Sequence, residues 1–173
     1  NYHKREGKDR RDLNDFEAIS LTIKSNFLKL YRVYHSNYPR FTPSAIEYLL
    51  QHINKNMNVF EWGSGISTFW FAKHAKKIYT VEHNYYWYSK MINQIDKLKI
   101  NNIDIVIKPE QNKGEDIDWN KYIYSIKDSC NEKGLFDIIV IDGRKRVKCF
   151  DICKEYLKKD GIIIFDDSFR KRY

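Results

Sequence analysis

Two acids at the ends of short apolar runs frame the most informative stretch of the chain. Phe60-Glu61-Trp62-Gly63-Ser64-Gly65-Ile66-Ser67-Thr68 closes one run with a carboxylate, turns on two glycines and opens a helix. Gly63 and Gly65 permit a tight turn and a close backbone approach by a ligand. The unpaired N–H groups of the helix that Ser67 and Thr68 open face the same spot. A dinucleotide fingerprint needs a third glycine where this chain has Thr68. It also has no need of Glu61, which repels a pyrophosphate but pairs with an ammonium group. Glu82 ends the next run, 17 residues after Gly65. An acid there accepts hydrogen bonds from both hydroxyls of a ribose. Acid, Gly-x-Gly and second acid together describe a pocket for a nucleoside with a cationic amino-acid tail.

Three more carboxylates close later runs: Asp142 ends one, and Asp166 and Asp167 end the next. If they share one rim, they repel each other unless a cation or hydrogen-bond donors intervene. One reading is a Mg²⁺ or Ca²⁺ site, since hard cations take oxygen ligands. Such an ion lowers the pKa of a bound substrate hydroxyl. In the other reading Asp142 contacts the cofactor amino group or acts alone as general base, while Asp166 and Asp167 cap the following turn. Gly143 allows a sharp turn after Asp142, and Arg144, Lys145 and Arg146 follow directly. Arg144 and Arg146 are the candidates for holding a phosphate or carboxylate on the substrate. Cations at a helix start oppose the dipole, which favours a functional reason for them over a solvated surface.

These residues need a scaffold that brings strand ends together. Short apolar runs at residues 58–61, 78–82, 103–107, 136–142 and 161–166 alternate with helical patterns near 67–75, 85–98, 119–130 and 147–157. Alternation of this kind predicts right-handed βαβ units and a doubly wound, mostly parallel α/β sheet with helices on both faces. The last two runs are rich in Ile and Val with little alternation, the pattern of central strands buried on both faces. Ahead of the sheet, helical spacing over residues 13–34 is broken at Tyr38-Pro39-Arg40-Phe41. Thr42-Pro43 then starts a second helix with Ala45, Ile46, Leu49, Leu50 and Ile53 on its apolar face. The expected organisation is a polar tail (1–12), a helical extension (13–56) and a Rossmann-like domain (57–173). Five strands make a small sheet and Arg170-Lys171-Arg172-Tyr173 reads as a loop, so further strands are expected to follow.

FEWGSGISTFWFA (60–72) resembles motif I of class I S-adenosylmethionine-dependent methyltransferases, and YTVEH (79–83) resembles their ribose-binding strand end. FDIIVIDGRKR (136–146) and YLKKDGIIIFDDS (156–168) are similar to their fourth and fifth strands. The likeness covers about Pro39 to Tyr173, is nearest the small-molecule and glycan O-methyltransferase-like branch, and implies a Rossmann-like sheet of at least five strands in the order 3-2-1-4-5. It implies that Glu61, Gly63 and Gly65 line the methionine part of the cofactor and that Glu82, with His83 beside it, holds the ribose. It also implies that Ser67 and Thr68 flank the cofactor at the helix start. Ser64, Asp142 and Gly143 complete the expected set, and Asp116 stands for the adenine site in the stretch after the third strand. Tyr85, Tyr86 and Trp87 either stack on adenine or pack the next helix, and the segment around Tyr38, Arg40 and Phe41 closes over the site. Catechol-type enzymes carry Asp at the fourth strand end and Asp-Asn at the fifth. This chain has Asp167 in place of the Asn, so the metal pattern of Asp142, Asp166 and Asp167 matches only in part.

Composition sets outer bounds. The 173 residues suit one domain, and 42% hydrophobic with 31% charged residues suits an ordinary globular protein. A net charge of +8 favours anionic partners without naming one. Nucleic-acid methylation is the alternative it raises, but the Asn/Asp-Pro-Pro-Tyr type of motif is absent after the fourth run, where Ile141-Asp142-Gly143-Arg144 stands. A cofactor-binding module without turnover and an NAD-binding domain are further alternatives. Cys130, Cys149 and Cys153 form no CxxC pair, which argues against a disulfide framework or zinc site. Cys149 and Cys153 share a helix face as packed thiols. No run reaches the roughly 18 apolar residues that span a bilayer, and no signal peptide is visible, so a cytoplasmic setting is expected.

Overall fold

A computed structural model describes residues 39–109 and 118–170. Five strands form one sheet: β1 (Asn58–Trp62), β2 (Lys77–Glu82), β3 (Ile103–Ile107), β4 (Phe136–Ile141) and β5 (Leu157–Phe165). All pair in parallel, in the order β3-β2-β1-β4-β5. The fold is the expected doubly wound α/β sheet. The chain moves outward through β2 and β3, then returns to the other side of β1, so β1 and β4 flank the switch point where such sheets bind ligands.

Helices cover both faces: α1 (Pro43–His52), α2 (Ile66–His74), α3 (Tyr85–Lys97), α4 (Trp119–Ile123), α5 (Ser125–Lys133) and α6 (Arg146–Cys153). Side chains alternate across each strand, so neighbouring residues serve different cores. Val59, Ile78, Ile138 and Val140 pack with Ile46, Leu49, Phe71 and Ile95 on one face. Phe60, Val81, Ile139 and Ile141 pack with Tyr122, Ile126, Cys149 and Cys153 on the other. The two thiols of α6 are therefore core residues. Two covered faces explain why β4 reads as a continuous apolar run from Ile138 to Ile141.

Thr42 caps α1 by accepting the Ala45 N–H at 3.4 Å, and Pro43 occupies the first turn, where its missing N–H costs nothing. Phe41, Ile46 and Leu49 belong to the main core, whereas Leu50, expected on the apolar face, is half exposed. The helical pattern at 119–130 resolves into α4 and α5, separated at Tyr124. β5 begins at Leu157 rather than Gly161, and its register against β4 shifts between Phe136 and Ile138. Ile162 to Phe165 are half-buried, not buried on both faces as the run predicts, because β5 is the outermost described strand. The expected tail (1–12), most of the helical extension, Tyr38 and Asp116 lie outside the described residues. Among the described residues no helix is long and apolar enough to cross a membrane.

Candidate functional site

The carboxyl ends of β1, β2 and β4 open into a cleft of about 1080 Å³. Gly63, Ser64, Glu82 and His83 form one wall, and Asp142, Gly143, Arg144 and Arg146 another. Tyr86, Trp87 and Trp119 add aromatic surface. Eight of the sequence-predicted residues thus meet in one place.

The loop after β1 is shaped by a glycine pair. Gly63 has φ of +94°, a region that disfavours side chains, and its N–H donates to the Val81 carbonyl at 2.9 Å. A Cβ on Gly63 would stand 2.8 Å from the Gly143 Cα, so the turns after β1 and β4 touch backbone to backbone. A Cβ on Gly143 would collide with the Tyr122 hydroxyl, which instead accepts the Arg144 N–H at 3.3 Å. Gly65 differs. Its backbone is extended, with φ of −177°, and a Cβ there would meet nothing nearer than the Ser67 hydroxyl at 3.9 Å. Neither backbone geometry nor protein contacts demand glycine at 65, and Gly65 is absent from the cleft wall.

Glu61 faces inward. It is fully buried and absent from the cleft wall. Ser67 and Thr68 donate to its two oxygens, each at 2.5 Å, and Thr68 accepts the Gly65 N–H at 2.9 Å. Burial is the main reason its pKa is pushed up to about 7, against the pull of those hydroxyl bonds. Glu61, expected to line the cofactor, and Ser67 and Thr68, expected to flank it, are joined to one another beneath the loop that carries Gly63, Ser64 and Gly65.

Glu82 faces the cleft. Ser64 gives it two hydrogen bonds, from the backbone N–H at 3.1 Å and the hydroxyl at 3.0 Å. The His83 and Asn84 N–H groups donate at 2.8 and 2.9 Å. The His83 Nδ1 lies 2.9 Å from the same carboxylate without the alignment of a hydrogen bond. Burial acts to raise the Glu82 pKa, but the His83 side chain and the backbone donors outweigh it and hold it below the usual value. Glu82 is thus a buried acceptor lining the cleft, held toward its ionised form. The Arg144 Nε donates to the His83 Nε2 at 3.4 Å, linking the ends of β2 and β4.

On the opposite rim, Asp142, Asp166 and Asp167 surround the guanidinium of Arg146. Its Nη2 donates to Asp142 Oδ1 at 2.8 Å, and its Nη1 lies 3.3 Å from Asp166 Oδ2 and 3.6 Å from Asp167 Oδ2. The same fork reaches the main-chain carbonyls of Asp142 at 2.9 Å, Gly143 at 3.0 Å and Asp166 at 2.5 Å. Two expectations change here. Arginines rather than Mg²⁺ stand among the three acids, Arg146 between all of them and Arg170 paired with Asp167, and among the described residues no group of His, Cys, Asp and Glu is arranged to hold a metal ion. Arg146, expected at the substrate entrance, spends its donors on the rim. Burial first, then the hydrogen bond and charge of Asp166, push Asp142 up to about 8, while Arg146 pulls it down.

Sequence reasoning missed two contributors, Tyr122 and Trp119, and left the role of Trp87 open. The Trp87 Nε1–H donates to the Ser64 carbonyl at 2.8 Å and fixes the loop from outside. Tyr122 supplies the hydroxyl beneath Gly143, and Trp119 carries the Lys145 ammonium 5.4 Å over its ring. The only sequence signal for this pair was two aromatics three apart at a helix start. Phe41, expected near the cofactor, packs in the core against Phe71.

No family model matches the chain, and no curated protein matches it. Solved structures do. A methyltransferase-like protein from Silicibacter pomeroyi is 22% identical, covers 78% of this chain and 76% of its own, and has a TM-score of 0.61. A Staphylococcus aureus protein described as a caffeoyl-CoA O-methyltransferase is 21% identical over 96% of this chain and 73% of its own, with a TM-score of 0.55. A Streptococcus mutans protein described as a methyltransferase, solved with SAH, is 17% identical over 73% and 72%, with a TM-score of 0.51. An rRNA methylase from Streptococcus thermophilus also matches. At these identities the likeness establishes a fold shared with methyltransferases and leaves the acceptor open.

Proposed function

We propose that this chain binds S-adenosylmethionine and transfers its methyl group to an oxygen of an anionic small-molecule or glycan acceptor. Glu82 carries the reading. It is an ionised carboxylate at the end of β2, facing a cleft at the switch point, beside a glycine loop with open space at Gly65. An adenosine ribose offers two hydroxyl donors to such an acceptor, and those hydroxyls take the place of the Ser64 hydroxyl. Gly65 leaves room for the methionine part. Tyr86, Trp87 and Trp119 offer flat apolar surface for a base. A Rossmann dinucleotide is disfavoured because Thr68, in the third-glycine position, is committed to Glu61.

The bound sulfonium supplies an electrophilic methyl; the chain aligns an acceptor and removes its proton. Asp142 is the base in this reading: its side chain is 37% exposed and lines the cleft. Burial and the neighbouring Asp166 raise its pKa, so transfer rises with pH over the range above the ordinary carboxylate value, as the carboxyl ionises. An activity that falls across that range removes Asp142 from the role. Arg144, Lys145 and Lys148 stand on the same wall and suit a phosphate or carboxylate on the acceptor. No step needs a metal.

Binding titrations with S-adenosylhomocysteine, S-adenosylmethionine and NAD test the reading. Micromolar binding of the first two without NAD is the expected result; the reverse overturns it. Binding without transfer of a labelled methyl group to glycan or small-molecule pools identifies a module without turnover. The +8 charge keeps nucleic acid as a second reading. RNA binding with a steep salt slope, accompanied by methylation of that RNA, favours it.

A further inference from the structure

Arg146 is the first residue of α6, and a cation at a helix N-terminus is electrostatically unfavourable in isolation. Its side chain is nevertheless only 8% exposed. Something must offset both the dipole and the desolvation, and three carboxylates do so: Asp142 at 2.8 Å, Asp166 at 3.3 Å and Asp167 at 3.6 Å. Conversely, three acids at two adjacent strand ends need a positive centre. From this arrangement we infer that Arg146 is the resident cation of the rim, standing in place of a divalent metal and holding Asp142 toward the cleft.

The shape of the group supports the assignment. A guanidinium is a planar fork that stays charged at any working pH. Here it reaches carboxylates on the ends of β4 and β5 and also the carbonyls of Asp142, Gly143 and Asp166. It therefore neutralises the acids and ties two strand ends together. A hard dication needs oxygens converging at about 2.0–2.6 Å. The space between these oxygens is filled by Nη1 and Nη2, and a dication beside them would face a buried positive charge. Arg146 thus acts through Asp142 as a positioning residue. This inference is independent of the methyl-transfer reading, and its test uses neither cofactor nor acceptor.

The full chain is titrated with Mn²⁺, with free ion followed by its electron paramagnetic resonance signal. The wild type is expected to leave Mn²⁺ free up to about millimolar concentration, with no change in Tm between EDTA and Mg²⁺. Arg146→Met leaves Asp142 and Asp166 without a cation, while Asp167 keeps its ion pair with Arg170, and it is expected to gain one Mn²⁺ at least tenfold more tightly than the wild type. Adding Asp142→Asn to that variant is expected to abolish the gain. A purely structural role for Arg146 would not create a metal site that depends on Asp142. One Mn²⁺ bound by the wild type at micromolar concentration and lost in Asp142→Asn overturns the inference. So does a folded Arg146→Met protein that gains none. If Arg146→Met does not fold, the wild-type titration alone decides.

Discussion

The loop after β1 has two sides that look alike in sequence and do opposite work. On the inner side, Gly63, although it also borders the cleft, is pressed against Gly143, and Glu61 is buried under the hydroxyls of Ser67 and Thr68. On the outer side, Gly65 has open space and Glu82 faces the cleft. Each side has one glycine and one glutamate. Burial governs the inner acid and pushes its pKa to about 7; convergent donors govern the outer acid and lower it. The inner pair makes the loop rigid, and the outer pair leaves it receptive.

The sharpest way to break this contrast is Gly63→Ala. A methyl group there meets the Gly143 backbone at 2.8 Å on a residue with φ of +94°. Strain and overpacking together should cost about 3–5 kcal/mol, read as a lower urea midpoint. A loss under about 1 kcal/mol would mean the two turns are not in contact.

Next in size is the pH dependence of stability. Glu61 has a folded pKa of about 7 against an ordinary 4.5, so the folded state binds the proton more tightly. Its contribution is full below pH 4.5 and is lost as pH rises to about 7, amounting to about 3 kcal/mol. Glu82 has the opposite sign: its lowered pKa gives stability that is lost as pH falls below the ordinary value. Denaturation of Glu61→Gln at pH 5 and pH 7.5 should show a flatter profile than the wild type. An unchanged slope would place the titrating group elsewhere.

On the outer side, Glu82→Ala should weaken binding of S-adenosylhomocysteine by about 1–3 kcal/mol, since it orphans ribose hydroxyls and backbone donors. Calorimetry measures this directly, and equal affinity would remove Glu82 from the site. Smallest in stability is Gly65→Ala, expected within about 0.5 kcal/mol of the wild type because its extended backbone suits any residue. The same substitution should lower cofactor affinity about tenfold. A variant that binds normally would show that the open space at 65 is not used.

Much of the scaffold was legible because period-two and helical patterns are local properties. Five apolar runs gave five strands, and alternation with helices implied a parallel, doubly wound sheet with helices on both faces, whereas the 3-2-1-4-5 order came with the family resemblance. The cap at Thr42 and the first-turn Pro43 were readable from residue type alone. Less legible were the break at Tyr124 and the start of β5 at Leu157. The first depends on packing of Tyr122 and Ile126 in the core, and the second on a register shift against β4. The candidate site was legible as a set of positions but not as a set of directions. Arg146 looked like its neighbour Arg144 in the string, yet one is buried among acids and the other reaches His83.

The sequence by itself determined which residues stand at the ends of parallel strands, since spacing along the chain fixes where each strand stops and each helix starts. It therefore determined that Glu61, Glu82, Asp142 and Asp166 share one edge of the sheet. Only the tertiary structure decided which of these acids face the cleft and which are satisfied from within. That choice depends on partners brought together from distant segments: Ser64 across to Glu82, Tyr122 under Gly143, Arg146 between β4 and β5. A carboxylate's charge follows from its solvation and donors, and neither exists until the chain has folded.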